Sequence, residues 1–194
     1  MKTNFTKPFV LAGAIAGLAL LPACSSDADV DESDPSVTNE EATRTLAASL
    51  GDLPELASLN GAISEAELGS IFDGPGSYTL LAPNDAAFEA LGEEGKALMT
   101  EEQRPVLVGL LREHILPGHL TPENIAKAID DKGGDVTMTT LGGGDVTFSK
   151  DGDTISVSNG IGSTAKIASS ATAATNGVII PLDTVLVPEQ PPEG

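Results

Sequence analysis

Apolar residues recur at helical intervals over the first part of the folded region and at alternate positions from Asp135 onward. Leu46, Leu50, Leu53, Leu56 and Leu59 fall three or four apart, which predicts helices over 43–50 and 53–63. Ser64-Glu65-Ala66-Glu67 has the form of a capping box and predicts a short helix carrying Leu68, Ile71 and Phe72, stopped by "DGPG". "SYTLLAPNDAAFEAL", Ser77 to Leu91, changes character in its middle. Tyr78, Leu80, Leu81 and Ala82 suit a buried strand, and Ala86, Ala87, Phe88, Ala90 and Leu91 suit a helix. Between them, Pro83 can end the strand without an amide donor. Asn84 or Asp85 can accept hydrogen bonds from the first amides of the helix, and Phe88 and Leu91 are expected to return to the core.

Thr100 to Gln103 predicts a second capping box. Beyond it, Leu107, Leu110, Leu111 and His114 lie on one face of an amphipathic helix. Pro105 fits only if that helix starts beside it, because a mid-helix proline costs about 3 kcal/mol. Thr121-Pro122 predicts the cap and first residue of a further helix through Ile129. The pattern then turns to period two and β-branched residues: "DVTMTTL", "DVTFSK", "TISVS", "STAKIASSA" and "GVIIPLDTVLV". Turn signals "GGG", "KDGD", "NGIG" and "TNG" separate them, which predicts a meander or hairpin array. Pro181 interrupts the last run and predicts an edge, a bulge or two strand pieces there.

Composition changes this picture mainly at the ends. "MKTNFTK" carries two lysines and no acid, and the apolar "PFVLAGAIAGLALLP" leads to "ACSS", as in a secretory signal. The apolar run is shorter than the roughly 20 residues that span a bilayer comfortably, and no twin arginine is present, so export by the general secretory route is expected. Leu21-Pro22-Ala23-Cys24 resembles a bacterial lipobox, and Cys24 is the sole cysteine, so no disulfide framework competes for it. The resemblance implies cleavage before Cys24, lipidation of its thiol and anchoring in membrane lipid, with Ser25 permitting outer-membrane sorting in a cell with two membranes. Acyl chains contribute about 0.8 kcal/mol per buried CH₂.

Residues 25–41, "SSDADVDESDPSVTNEE", hold seven acids and no base, and predict a disordered tether reaching up to about 55 Å. The expected organisation is a signal segment over 1–23, the tether over 24–41, one domain over 42–188 and a frayed tail over 189–194. The formal net charge of −19, with no tryptophan and 3% aromatic residues, excludes nucleic acid as a partner.

Three stretches in order resemble the marks of a fasciclin domain. They are "GPGSYTLLAPNDAAFEAL", "LLREHILPGHLT" and "NGVIIPLDTVLVP". The resemblance covers about Thr43 to Pro188. It implies an α+β, fasciclin-like fold with N-terminal helices packed against a C-terminal wedge of short strands. It also implies adhesion without catalysis. Four positions depart from the family pattern: Leu81 stands for an aromatic, Glu113 for a tyrosine, and Ile180-Pro181 for a histidine and an aliphatic residue.

The candidate contact region is Asn84 and Asp85 together with Asn176, Gly177, Asp183 and Thr184 of the segment 176–184. His114 and Phe88 are expected to be structural, the histidine buried and bonded to backbone. His119 is the only other histidine, so a zinc site would have to be completed by carboxylates, and neither metal nor cofactor is expected. No G-x-S-x-G, P-loop, H-E-x-x-H or dinucleotide fingerprint occurs. Ser163-Thr164-Ala165-Lys166 matches S-x-x-K, but it lies in an expected strand with no K-T-G downstream.

The expected function is a lipid-anchored, non-catalytic surface module that engages an extracellular polysaccharide, matrix component or protein. The rivals are a cell-envelope hydrolase using Asp85 or Asp183 and a carrier with an apolar pocket. A pocket with two carboxylates about 5 to 9.5 Å apart would mark the hydrolase.

Overall fold

The computed structural model describes residues 42–187. The expected signal segment, Cys24, the tether and the tail lie outside the described residues.

Two strands from distant parts of the sequence carry the fold. β1 (Tyr78–Pro83) and β8 (Gly177–Leu182) lie side by side in parallel, with Tyr78 opposite Gly177 and Pro83 opposite Leu182. β2 (Ile115–Pro117) flanks β1 and β7 (Thr172–Ala174) flanks β8, both antiparallel, giving the order β2-β1-β8-β7. A second sheet is an antiparallel meander of β3 (Val136–Thr139), β4 (Asp145–Asp151), β5 (Thr154–Ser158) and β6 (Thr164–Lys166). The meander is the one the turn signals predict. The last strand, however, leaves it to join β1, and β2 lies where the sequence shows only the end of a helix.

Each central strand is buried on both faces, which is why both read as unbroken apolar runs rather than as alternation. Leu80 and Ala82 of β1 and Ile179 of β8 pack into a cluster with Leu46, Leu50, Leu59, Phe72 and Leu107 from the helices. Leu81, Val178, Ile180 and Leu182 pack on the other side with Phe148, Val157, Ile125 and Ile129. The departures at Leu81 and Ile180 therefore fill the second cluster, both fully buried.

Pro181 sits inside a continuous central strand, not at a break. Its carbonyl accepts from Ala168 N, so its backbone edge faces away from β1 on the side where β7 has already ended. The missing N–H thus removes no bond from the β1–β8 ladder.

The helices are α1 (Leu46–Gly51), α2 (Ala57–Glu65), α3 (Gly69–Asp73), α4 (Asp85–Ala90), α5 (Gly92–Leu98), α6 (Arg104–Glu113) and α7 (Pro122–Lys132). Pro105 falls in the first turn of α6, where it displaces no intrahelical bond. Thr121 caps α7 by accepting from Asn124 N, and this helix runs three residues past Ile129 to Lys132.

Neither expected capping box forms. Thr100 turns its hydroxyl back to the carbonyl of Ala97 at 2.8 Å. Ser64 donates to Asn60 O within α2, and Ser64–Glu67 ends that helix instead of starting the next. Leu68 N bonds Ile63 O and Glu67 N bonds Ser64 O, the paired bonds of a Schellman stop, with Glu67 in the left-handed conformation at φ 55°.

Among the described residues Glu67 alone has a positive φ without being glycine. Glu67→Gly is therefore expected to raise stability by about 1 kcal/mol. Its exposed pairing to Arg104 at 3.4 Å is worth little by comparison. A higher urea midpoint would bear this out; an unchanged or lower one would contradict it.

Candidate functional site

The joint at Pro83-Asn84-Asp85 binds two helices. Asn84 Oδ1 accepts from Ala87 N at 2.9 Å and caps α4. Asp85 Oδ1 accepts from Ser58 N at 2.8 Å, in the first turn of α2, a helix with no side-chain cap of its own at that end. A carboxylate there also sits favourably at the positive end of the helix dipole. The two residues divide between two helices a role that the sequence assigns to one. Ala87 is the buried residue of α4, whereas Phe88 and Leu91 are only half-buried at its edge.

Asn176 makes a comparable joint at the other end of the sheet. Its Oδ1 accepts from Leu46 N at 2.8 Å, and its Nδ2 donates to Phe72 O at 2.7 Å and Gly74 O at 3.0 Å. One side chain thus ties the start of α1 to the end of α3. Its backbone carbonyl accepts from Tyr78 N and begins the β1–β8 ladder. Asn176→Ala leaves three backbone groups to part-buried surroundings, so a loss of about 2 kcal/mol is expected in urea unfolding.

Asn84, Asp85, Asp183 and Thr184 lie together at the far ends of β1 and β8, where Asn84 N bonds Leu182 O. Asn176 and Gly177 lie at the near ends, six residues of strand away, roughly 20 Å. Residues 177–182 between them are all buried. The six candidates therefore do not form one contact region, and the strand residues of the segment 176–184 are core rather than surface. Asp183 is itself engaged: its Oδ1 accepts from Lys166 N at 2.8 Å and Thr184 Oγ1 at 3.0 Å, pinning β6 to the end of β8.

His114 is 1% exposed. Its Nδ1 donates to Leu110 O at 2.9 Å and its Nε2 accepts from Leu186 N at 3.0 Å. Those partners fix the neutral tautomer protonated on Nδ1, and burial pushes its pKa down. His119 is exposed. Glu113, the departure beside His114, accepts from Thr140 Oγ1 at 2.6 Å and Gly144 N at 3.2 Å. The carboxylate occupies the space where side chains at Gly142 and Gly144 would stand, which accounts for the "GGG" turn.

Among the described residues no three His, Cys, Asp or Glu side chains are grouped to hold a metal ion. Ser163 Oγ donates to Val187 O at 3.1 Å, and Thr164, Ala165 and Lys166 form β6, a strand setting unlike that of an S-x-x-K nucleophile.

Grooves open on the surface of the described residues. A groove of about 410 Å³ lies between α2, α4 and α5, and Glu89 is the one carboxylate lining it. A second, of about 490 Å³, is lined by Leu91, Leu98, Val106, Leu110, Ile161 and Val187, with Glu94 as its one carboxylate. Neither presents the paired carboxylates of a glycoside hydrolase. The second groove is absent from the candidate residues that the sequence points to. Its only signals along the chain are Ile161, an isoleucine inside the turn "NGIG", and Val106, off the apolar face of α6.

The family model for the fasciclin domain matches residues 54–188, most of the chain, including both joints and His114. The chain belongs to the fasciclin domain family. This is a family of cell-adhesion-type modules. A similar relative is the transforming growth factor-beta-induced protein ig-h3 of Sus scrofa, 30% identical over 131 residues, which cover 68% of this chain and 17% of that protein. Protein sll1483 of Synechocystis is 26% identical over 180 residues, covering 90% of this chain and 93% of that protein. The structure of a FAS1 domain pair from the insect cell adhesion molecule fasciclin I is similar in fold, with a TM-score of 0.66 at 13% identity over 75% of this chain and 51% of that one. In this chain the first and third of the three family-like stretches supply β1 and β8, neighbours in one sheet.

Proposed function

We propose that this fasciclin domain is a non-catalytic adhesion module, displayed on a lipid anchor at Cys24 and engaging an extracellular polysaccharide, matrix component or protein. The observation that carries the reading is the use of the motif side chains. Asn84, Asp85, Asn176, Asp183 and His114 are all committed to backbone groups that hold elements together. A catalytic role needs a side chain aimed at a substrate. Membership of a family of cell-adhesion-type modules supports the reading, and so does the run of seven acids without a base over 25–41, the composition of a spacer.

The test of display is Cys24→Ala. The variant is expected in the soluble or medium fraction, with the wild type in the membrane fraction. Retention at wild-type levels in the membrane would exclude lipidation as the anchor. Binding of the protein to envelope polysaccharides and to whole cells, with no turnover of the bound material, is the corresponding test of function. Release of soluble sugars from the polysaccharide would instead mark a hydrolase.

A further inference from the structure

One groove lies between α5, α6 and the turn over 159–163. Its floor, including Leu91, Leu98, Leu110 and Val187, is the outer side of a small third cluster built on the buried Ala87, Leu110 and Val185. Val106 and Ile161 line its rims, 51% and 47% exposed. Large apolar side chains exposed singly are ordinary. Two of them bordering an apolar groove extend it into a contiguous patch, and such patches mark interaction sites.

Ile161 is also held in place rather than left on a loose loop. Gly160 and Gly162 on either side adopt positive φ, 74° and 126°. Asn159 Oδ1 accepts from Ile161 N and Ser163 N, while Asn159 Nδ2 and Ser163 Oγ both donate to Val187 O. A rim fixed in advance loses little entropy when something docks on it.

The charge around the groove restricts the occupant. Glu94 is the one ionisable side chain among its lining residues, and Glu101 and Glu102 are exposed just ahead of Gln103, which also lines it. No lysine or arginine lines it, and the chain as a whole carries −19. Such a field draws in cationic partners and repels anionic ones.

We infer that this groove docks a basic, apolar segment of a partner protein, with two or three apolar side chains between Val106 and Ile161 and a lysine or arginine at Glu94. Residues 188–194, "PEQPPEG", follow Val187 at the groove's edge, but Glu189 and Glu193 have the wrong charge for it and no large apolar side chain is present. A small-molecule site encloses most of its ligand, whereas the half-exposed rims here suit a segment laid along the groove.

Two fluorescein-labelled peptides test the assignment, one of leucine and lysine and one with glutamate at every lysine position. Anisotropy is measured with the full chain in non-ionic detergent, against detergent alone, for the wild type, Ile161→Asp and Glu94→Lys. Leu141→Asp serves as control, because Leu141 is a comparably exposed residue outside the groove, and thermal melts verify that each variant folds.

The leucine–lysine peptide is expected to bind the wild type and Leu141→Asp alike and to bind Ile161→Asp and Glu94→Lys about tenfold more weakly. The glutamate peptide is expected not to bind. Equal binding of both peptides, equal weakening by Leu141→Asp, or no binding at all would overturn the assignment. Tighter binding after removal of residues 188–194 would make the tail the occupant and overturn it. So would saturable binding of anilinonaphthalene sulfonate that Ile161→Asp abolishes while leaving peptide binding intact. None of these readings depends on Cys24, so a failure of docking and a failure of the anchor are told apart.

Discussion

Gly177→Ala is expected to leave the protein largely unfolded. Gly177 opens β8 opposite Tyr78, and a Cβ built on it runs into the backbone carbonyl of Tyr78, with Leu46 Cδ1 at 2.7 Å on another side. A flexible side chain could move away, but a carbonyl in the central ladder cannot move without separating the two strands that carry both cores. Overpacking in a well-packed core costs about 1–3 kcal/mol. A clash with backbone at this ladder should exceed that, reaching about 4 kcal/mol or more, a large share of a domain's whole stability.

The measurement is soluble yield and urea unfolding, with Gly109→Ala as control. Gly109 is exposed in the middle of α6 with nothing within 4 Å of its would-be Cβ. That change should stabilise by about 0.5–1 kcal/mol. Near-wild-type stability of Gly177→Ala would show that β1 and β8 can separate slightly at low cost, and would remove the steric reason for a glycine at this position.

The second large effect is at His114. His114→Ala removes a fully enclosed ring and leaves Leu186 N–H and Leu110 O without their partner. The expected loss is about 3–4 kcal/mol, from the cavity and the unpaired amide together.

The native residue should also make stability depend on pH. Burial holds its pKa below the ordinary 6.5 of the unfolded chain. Protonation would set an Nε2–H against the Leu186 N–H, so the charged form belongs to the unfolded state. Its contribution is therefore fully present above about pH 6.5 and is lost progressively as the pH falls through that value toward the lowered folded one. The slope cannot exceed about 1.4 kcal/mol per pH unit for one proton. Urea midpoints of the wild type and His114→Asn, compared between about pH 7.5 and 5, separate this group from the many carboxylates that titrate lower. Parallel curves for the two proteins would show that His114 carries no such linkage.

Much of the fold is legible in the order of residues because it depends on local rules. The leucine spacing from Leu46 to Leu59, the Thr121-Pro122 start of α7 and the turns "GGG" and "KDGD" each act within a few residues. The capping boxes failed for an equally local reason. A four-residue pattern cannot tell the start of a helix from the end of one. At Ser64 the choice was made by Leu68, which folds back onto Ile63 in the core and draws Glu67 into its left-handed turn.

The candidate site divides the same way. The motifs mark Asn84, Asp85 and Asn176 as special, and they are, but the residues that each one holds are distant in sequence: Ser58, Leu46 and Phe72. A hydrogen bond to a remote backbone amide leaves no trace in spacing, so these side chains looked available for contact when they were already occupied.

Hydrophobic period, turn chemistry and motif order are written along the chain, and they were enough to settle the family, the helices with proper caps and the meander. Only tertiary packing made β8 abandon the meander to lie parallel beside β1, buried on both faces, which turns "GVIIPL" into core. It alone also brought Ile161 from a turn and Val106 from a helix to the same groove. Burial is a property of what arrives on the other side, and no residue's own neighbours in sequence specify that.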